Sequence, residues 1–285
     1  MACLTDENRV VIHDLKSGGQ KEVAVLEPMK CAASPYCIAL TTAKLGLHLF
    51  THNGELVQIF PRSKIVSCAA FLDRHPCILA TGLKNGSLLL WDMQGQHQVY
   101  ALPIHTSRIT SIRSAPDGRL YLSSYDNSAS VIALNSKFKL VSRIKLDGHT
   151  NWVNDILPLS ASNQCVTCSN DKAIKVWDSG TGACLRTLTE HLNFVMTLAH
   201  HHTRPIFASG SYDQSAIIRS SESFEVLHSI QFPSSIQSLV FGEDDSLYVE
   251  VYDSGVMSCN PLTGEIGAQV ICGEGTIHDL AIGMT

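Results

Sequence analysis

Residues 148–159 read GHTNWVNDILPL, and after a short connection residues 164–182 read QCVTCSNDKAIKVWDSGTG. Both stretches contain short runs rich in β-branched, aromatic and leucine residues, bounded by Gly, Asn, Asp or Ser, which is typical of strands joined by tight turns. Residues 85–95, NGSLLLWDMQG, contain the same Trp-Asp pair. A unit that recurs within one chain indicates a repeat architecture, so the spacing of the copies decides the fold.

Degenerate copies of the Trp position recur along the whole chain. The equivalent positions are His13, Phe50, Trp91, Ala133, Trp177, Arg219 and Cys259, with successive spacings of 37, 41, 42, 44, 42 and 40 residues. These spacings lie near the roughly 40–45-residue period of one propeller blade. Six residues before each reference position the sequence carries a charged or amide residue, as expected of an exposed turn between two strands. These turn residues are Glu7, Lys44, Asn85, Asn127, Asp171, Asp213 and Asp253.

The repeat resembles that of the WD-repeat (WD40) β-propeller family. The resemblance rests on the Gly148-His149 pair, on the turn carrying Asp171 and on the strand ending in Trp177-Asp178. It implies an all-β, seven-bladed propeller with four antiparallel strands in each blade. Because no linker or compositional break separates the copies, we expect one domain spanning residues 1–285.

The two chain ends complement each other. The first copy begins at its second strand, ACLT, and the final residues, TIHDLAIGM, read like a first strand with nothing after it. Counting from Cys259 to the chain end and on to His13 gives 39 residues, which is one more period. A closed ring removes unpaired sheet edges, so we expect the C-terminal strand to complete the N-terminal blade.

Composition narrows the possible functions. The formal net charge is −5 and no run of Lys or Arg occurs, so the sequence disfavours binding to nucleic acid. No stretch reaches the roughly 18 apolar residues that span a bilayer, and the N-terminus lacks a secretory pattern. We therefore expect a soluble intracellular protein, cytoplasmic or alternatively nuclear, which does not bind membranes and is monomeric.

One set of residues could be mistaken for a catalytic group. His149, Thr167, Asp171 and Trp177 include the Thr, His and Asp of a nucleophilic triad. In WD-repeat proteins such a set hydrogen-bonds across one blade, so the resemblance implies a structural role, with Ser169 as an alternative hydroxyl. Imidazole, hydroxyl, carboxylate and indole can satisfy one another completely. We therefore predict no catalytic residue and no enzymatic activity.

The neighbouring copies are predicted to keep parts of this set. The following copy retains His191, Ser209 and Asp213 with Arg219 at the Trp position, and the preceding copy retains His105 and Ser123 with Asn127 at the Asp position.

The cysteines and histidines do not indicate a metal site. Most of the ten cysteines lie in apolar runs, which favours reduced thiols in the core. Cys165 and Cys168 form a CxxC, but strand alternation points their side chains to opposite faces. The tract 200–202, three histidines, is predicted to be a solvated loop. No sequence matches a phosphate-binding loop, so we expect no metal and no cofactor.

The resemblance also indicates which residues could bind a partner. In WD-repeat propellers, residues just after the Gly-His position and the residue before the turn Asp face the narrow top surface around the central channel. The first set is Lys64, Arg108, Trp152 and Phe194, and the second is Lys84, Asp126, Asn170, Tyr212 and Tyr252. Aromatic residues and Arg are enriched at binding hot spots, and the three cations favour an acidic partner segment. Alternatively, Trp152 and Phe194 merely cover a neighbouring loop.

These observations favour a non-enzymatic scaffold or adaptor subunit that binds partner proteins on its top face. The alternative is a reader of a modified peptide or of ubiquitin, using an aromatic pocket at the channel mouth. A methyl-lysine cage needs several aromatic rings and an acidic residue, which Trp152, Phe194, Tyr212 and Asp126 could supply. Enzymatic activity is the least favoured hypothesis, because the repeat already explains why aspartates occur in the turns.

Overall fold

The computed structural model of the chain describes residues 66–95, 97–159 and 162–271, together with eight strands outside these ranges. The described residues form strands, turns and loops, with no helix among them. None of them belongs to a helix of the length and apolar character needed to cross a membrane. The predicted all-β class is confirmed.

The described strands form seven antiparallel sheets of four strands each, which we number in chain order. Sheet 1 contains β1 (Ala2–Thr5), β2 (Arg9–His13) and β3 (Gln20–Ala24). Sheet 2 contains β4 (Pro28–Ala33), β5 (Ile38–Thr42), β6 (Gly46–Phe50) and β7 (Leu56–Phe60). Sheet 3 contains β8 (Val66–Leu72), β9 (His75–Leu83), β10 (Ser87–Asp92) and β11 (His97–Pro103).

The remaining sheets follow the same order. Sheet 4 contains β12 (Ile109–Ser114), β13 (Leu120–Ser124), β14 (Ser128–Leu134) and β15 (Leu140–Asp147). Sheet 5 contains β16 (Val153–Leu159), β17 (Gln164–Ser169), β18 (Ile174–Asp178) and β19 (Cys184–Leu188). Sheet 6 contains β20 (Val195–His200), β21 (Ile206–Ser211), β22 (Ser215–Ser220) and β23 (Val226–Gln231). Sheet 7 contains β24 (Ile236–Phe241), β25 (Leu247–Val251), β26 (Gly255–Cys259) and β27 (Ile266–Ile271).

The last strand, β28 (Ile277–Ala281), joins sheet 1 and pairs antiparallel with β1. The first strand of each sheet contacts the first strand of the next, in the order β4, β8, β12, β16, β20, β24, β28 and back to β4. This pairing of the two chain ends is the one that closure of a ring requires, because it leaves β1 without a free edge. The rest of the segment Thr276–Thr285 lies outside the described residues.

The hydrophobic core lies between the faces of neighbouring sheets. One cluster joins Tyr121 and Val131 of sheet 4 to Ile156 and Trp177 of sheet 5. The outer strands are more exposed, as the pattern of β15 shows. Each blade therefore owes its stability mainly to burial of apolar side chains against its neighbours, and the turns at the strand ends are free to carry function.

The turns between second and third strands share one backbone conformation. Asn127, Lys172 and Gln214 have φ values of 66°, 72° and 72° in sheets 4, 5 and 6. In sheet 3 the same place is taken by Gly86, with φ of 83°. A Cβ atom at Gly86 would overlap the carbonyl oxygen of His105, so only glycine fits there.

Candidate partner-binding face

Two kinds of loop meet at one end of the sheets, and we call this end the top face. One kind joins the second and third strands of a sheet, and the other leads into the first strand of the same sheet. Backbone hydrogen bonds of 2.9 Å connect them at matching places: Tyr125 N–H to Arg108 O, Asn170 N–H to Trp152 O, Tyr212 N–H to Phe194 O, and Tyr252 N–H to Ser235 O. These repeated bonds give the top face a rigid backbone.

In sheet 5 the predicted hydrogen-bond set is present. The Nδ1 and Nε2 atoms of His149 lie 2.7 Å from Asp171 Oδ2 and 2.7 Å from Thr167 Oγ1. The indole of Trp177 donates to Thr167 Oγ1 at 2.8 Å. Ser169 is not the hydroxyl member, because its Oγ donates to the carbonyl oxygen of Asn151 at 3.1 Å.

The set satisfies every polar group that it contains. Partial burial opposes ionisation of Asp171, but the interactions with His149 and the backbone N–H groups of Ala173 and Thr150 together outweigh it and lower the pKa of Asp171 to about 2. The carboxylate accepts from His149 Nδ1–H, His149 Nε2 accepts from the Thr167 hydroxyl, and Thr167 Oγ1 accepts from the indole. Because Thr167 is fully buried and its hydroxyl is bonded on both sides, the set serves to hold a loop.

Sheet 6 keeps the histidine and aspartate but replaces the indole. His191 lies 2.9 Å from Asp213 Oδ2 through Nδ1 and 2.8 Å from Ser209 Oγ through Nε2. Burial lowers the pKa of His191 against the raising effect of Asp213. Arg219 is buried at the Trp position and forms an ion pair with Glu190, at 2.7 Å between Nη2 and Oε2.

In sheet 4 the predicted register is wrong by one residue. Asp126, predicted to face a partner, instead lies 2.9 Å from His105 Nδ1 and accepts from Ser128 Oγ at 2.7 Å. These interactions lower the pKa of Asp126 despite its partial burial. Asp126 is therefore the equivalent of Asp171, and Asn127 occupies the following position with positive φ.

The same shift reassigns the hydroxyl and Trp positions of sheet 4. Leu122 pairs with Ile112 as Thr167 pairs with Ile156, so Leu122 holds the hydroxyl position. His105 Nε2 accordingly has no hydrogen-bond partner in the described structure. Ser123, predicted to be that hydroxyl, instead lies 2.8 Å from Thr110 Oγ1. At the Trp position, Ile132 replaces the predicted Ala133, because it lies six residues after Asp126.

A signal for the correct register exists in the sequence. Residues 124–128 read SYDNS and residues 211–215 read SYDQS, which aligns Asp126 with Asp213 directly. The connection that precedes Asp126 is one residue shorter than its counterparts, since His105 to Asp126 spans 21 residues and His191 to Asp213 spans 22. Counting at a fixed offset from a degenerate Trp position therefore selected the wrong residue.

This correction places Tyr125 on the top face, where sequence reasoning missed it. The Tyr125 and Trp152 rings are stacked, with centroids 4.2 Å apart and planes at 15°. The Arg108 guanidinium lies 5.5 Å from the Tyr125 centroid. Trp152 nevertheless remains 46% exposed. The ring thus covers a residue of the neighbouring sheet, as the alternative prediction held, and still presents surface to solvent.

A second aromatic pair lies on the next sheet. The rings of Phe194 and Tyr212 have centroids 6.1 Å apart, and the Tyr212 hydroxyl donates to Gln237 Oε1 at 3.2 Å. Phe194 is 36% exposed, and Tyr252 on sheet 7 is 42% exposed. The top face therefore presents aromatic side chains on four consecutive sheets.

The other predicted partner-binding residues have different surroundings. Lys84 is exposed in the turn between β9 and β10. Asn170 accepts from Asn154 Nδ2 at 2.7 Å through its own Oδ1, which ties its side chain to the first strand of sheet 5. Lys64 lies outside the described residues.

The motifs considered for metal binding are used by the fold. Cys165 packs in the cluster containing Trp177, whereas Cys168 packs in the one on the other side of sheet 5. Burial raises the pKa of the Cys165 thiol to about 12. The tract 200–202 differs from the predicted solvated loop, because His201 is buried and lies 3.1 Å from Asp245 Oδ1. Its Nδ1 accepts two backbone N–H groups.

The WD40 family, described as "WD domain, G-beta repeat", matches residues 96–132, 140–178 and 182–219. The chain is similar to guanine nucleotide-binding protein G(I)/G(S)/G(T) subunit beta-1 of Homarus americanus, with 31% identity over 140 residues, 48% of this chain and 41% of that protein. It is also similar to nuclear distribution protein PAC1 of Arthroderma otae, with 29% identity over 146 residues, 44% of this chain and 31% of that protein. The similarity thus spans less than half the length of either relative.

Proposed function

We propose that this chain, three stretches of which match the WD40 repeat, is a non-enzymatic adaptor, which binds segments of other proteins on its top face. The single observation that carries the proposal is the exposure of Trp152, a large ring held at a fixed place and left 46% exposed. Burying such a ring against a partner removes apolar surface from water at little cost in conformational entropy.

The backbone around the exposed rings supports a binding role. The N–H of Trp152 donates to Asn151 Oδ1 at 2.8 Å, and the N–H of Phe194 donates to Asn193 Oδ1 at 2.9 Å. The same local device therefore positions an exposed ring on two neighbouring sheets. Rings held in place before binding lose little freedom when a partner docks, so they favour affinity.

The carboxylates of the top face support a structural role and not a catalytic one. Asp126, Asp171 and Asp213 each interact with a histidine and accept a backbone N–H as well. A general acid or base must exchange a proton with a substrate that it can reach, whereas these carboxylates are hydrogen-bonded to residues of the loops. These hydrogen bonds support the proposal that the protein is not an enzyme.

The geometry does not favour a methyl-lysine reader. Such a cage needs an acidic residue beside its aromatic rings, and Asp126, which was expected to supply it, is bound to His105. Tyr125 also covers one face of the Trp152 ring. We therefore retain the adaptor as the proposed function.

The relatives and the cysteines support the setting that we propose. One relative is named as a subunit, which is consistent with a chain that works inside a multiprotein complex. Cys165, Cys168 and Cys259 are free and buried, and Cys184 is free and exposed. Because an exposed thiol persists in a reducing compartment, we propose a cytoplasmic location.

The proposal is tested by changing Trp152 and Tyr212 to Ala together. We expect capture of partner proteins from native lysate to weaken by about 2 kcal/mol or more, because two anchors of the face are removed. Partner binding is compared by quantitative mass spectrometry of the captured proteins. The melting temperature should stay within a few degrees of the parent, since both side chains reach the surface.

Leu185→Ala is the matched control, because Leu185 is 47% exposed but lies on the outer strand β19. It should leave capture unchanged. A double variant that still captures the same partners in the same amounts would remove the top face from consideration.

A further inference from the structure

Building on the proposed function, we infer that the Arg108–Tyr125–Trp152 stack binds an acidic partner segment, which places one flat apolar side chain on the open face of Trp152. The flat side chain is an aromatic residue. Acidic residues next to that side chain in the partner segment pair with the cations around the stack. The adaptor proposal leaves the chemistry of the partner open, and the stack specifies it.

The shape of the stack selects a flat group. The near-parallel arrangement of Tyr125 and Trp152, with 15° between their planes, covers one face of the indole, and because Trp152 is still 46% exposed, surface of the ring remains available to a ligand. The indole cannot tilt toward a ligand without losing the Tyr125 contact. Because stacked rings are favoured in offset parallel arrangements, a planar side chain can extend the stack as one more layer.

Electrostatic attraction selects the partner residues that flank the stacked side chain. The Arg108 guanidinium makes no hydrogen bond or ion pair within the described chain, and its Nε is buried without a partner. Lys84 and Lys172, in the corresponding turns of sheets 3 and 5, are exposed and form no ion pair with a described residue. These groups give the part of the top face around the stack a positive local charge within a chain whose formal net charge is −5.

The carboxylates nearby offset this charge only in part. Asp126 and Asp171 carry negative charge, but their side chains are only 13% and 9% exposed and each lies against a histidine, so a partner meets the exposed cations first. Asp147 is paired with Lys145, at 2.8 Å between Oδ2 and Nζ. Asp253 is exposed, but it belongs to sheet 7 and not to the sheets that carry the stack.

A cationic ligand is disfavoured for the same reason. Lysine or methyl-lysine gains attraction from an indole face, but here it would approach beside Lys172 and Arg108. Like charges across an interface reduce affinity and slow association, whereas carboxylates are steered toward the site. The electrostatic part of the preference should weaken as salt is raised, because exposed charges are screened.

The test uses unlabelled synthetic peptides and the full chain labelled with nitrogen-15. One peptide carries a single tryptophan flanked on both sides by glutamates, a second has lysines in place of the glutamates, and a third has alanine in place of the tryptophan. The chain contains three tryptophans, so its indole signals are few, and Trp152→Phe identifies the signal of Trp152. The indoles of Trp91 and Trp177 donate to Thr81 and Thr167 and serve as internal references.

We expect the glutamate peptide to shift the Trp152 indole signal while the two reference signals stay in place. The lysine and alanine peptides should each bind about tenfold more weakly or worse. Arg108→Gln should weaken the glutamate peptide several-fold and reduce its dependence on salt. Unmoved reference signals in Arg108→Gln show that the variant is folded.

Equal or tighter binding of the lysine peptide overturns the inference, and so does a glutamate peptide that leaves the Trp152 signal unmoved. The proposed function is judged separately by partner capture with the Trp152 and Tyr212 double variant. If capture is lost in that variant while the peptides show no charge preference, the adaptor proposal stands and the inference about acidic partners falls. If capture is unaffected and no peptide binds, both fall.

Discussion

Sheets 5 and 6 anchor their top loops in the same way but fill the Trp position differently. In sheet 5 the indole of Trp177 is buried beside Gly148, where a Cβ atom would lie 3.3 Å from Trp177 Cη2. In sheet 6 these two places are taken by Arg219 and Glu190, which form an ion pair. Sheet 5 therefore has a large ring beside a glycine at the place where sheet 6 has a cation beside an anion.

The exchange shows that the position requires filled volume more than a particular side chain, since the Nε of the buried Arg219 has no hydrogen-bond partner among the described residues. Trp177 meets the requirement by packing and by one hydrogen bond to Thr167. Arg219 meets it with Glu190 and with a hydrogen bond to the carbonyl oxygen of Phe224 at 3.2 Å. Because a buried ion pair must offset the cost of desolvation, the two solutions should respond differently to mutation.

The largest expected effect comes from removing the pairing of the two chain ends, which closure of a ring would require. Deletion of residues 276–285 removes β28 and leaves β1 with an unpaired edge. We expect strong destabilisation, with loss of a single cooperative unfolding transition, as followed by circular dichroism during heating. A truncated chain that melts at the temperature of the full chain would contradict the proposed closure.

Trp177→Ala should produce the largest effect of a single substitution within the comparison. It removes a fully buried ring and leaves a cavity between sheets 4 and 5, so we expect a loss of about 3–5 kcal/mol in the free energy of unfolding. Urea titration measures the loss. The matched control is Trp152→Ala, the same chemical change at an exposed ring, which should cost less than about 1 kcal/mol.

Glu190→Ala should have a smaller effect in sheet 6. It leaves the buried Arg219 without its anion, and we expect a loss of about 2 kcal/mol, less than for a fully buried pair because Glu190 is itself half exposed. Glu222→Ala removes an exposed glutamate from the same sheet and should change stability by less than about 0.5 kcal/mol.

A double variant then sharpens the comparison. Glu190→Gly combined with Arg219→Trp gives sheet 6 the residues of sheet 5, with Ser209 available to accept from the new indole. We expect it to be more stable than Glu190→Ala, by about 1 kcal/mol or more. If it is no more stable, the two pairs of residues are not interchangeable solutions.

The smallest expected effect is the dependence of stability on pH. Asp171 and Asp213 have lowered pKa values in the folded protein, about 2 for Asp171. Their contribution is therefore complete above the unfolded pKa of about 4 and is lost as pH falls through the folded values. His191 also has a lowered pKa, so the unfolded chain binds the extra proton and stability begins to fall below about pH 6.5.

His191→Gln should reduce the slope of the stability profile between about pH 7 and pH 5, where His200 and His201 also have lowered pKa values, and leave the acid part below about pH 4 in place. Free energies of unfolding from urea titrations at several pH values give both profiles. Identical slopes in the parent and the variant between pH 7 and 5 would show that His191 is not responsible.

Much of the fold could be read from local patterns. Trp91 and Trp177, the spacing of the copies and the polar residues of the turns predict short strands in repeated four-stranded units. The reason is that each turn needs residues that tolerate exposure and positive φ, while each strand needs apolar side chains for its neighbours. Those requirements act within one repeat and leave a trace in every copy.

The candidate site was predicted only in part for a related reason. Trp152 and Phe194 follow the Gly-His position at a constant distance, so they were located correctly from the repeat. Tyr125 was missed because one connection in sheet 4 is shorter, and the offset from Ala133 then pointed to Asn127. A fixed spacing fails wherever a loop changes length without changing the strands.

The amino-acid sequence alone determined the strand class, the period and the residues that anchor the loops of sheets 5 and 6, because these depend on contacts repeated inside each unit. Tertiary structure decided the stack of Arg108 on Tyr125 on Trp152, the pairing of Arg219 with Glu190 and the burial of His201 against Asp245. Each of these joins residues from different loops or sheets, and their partners depend on how neighbouring units are packed and not on a pattern within one of them.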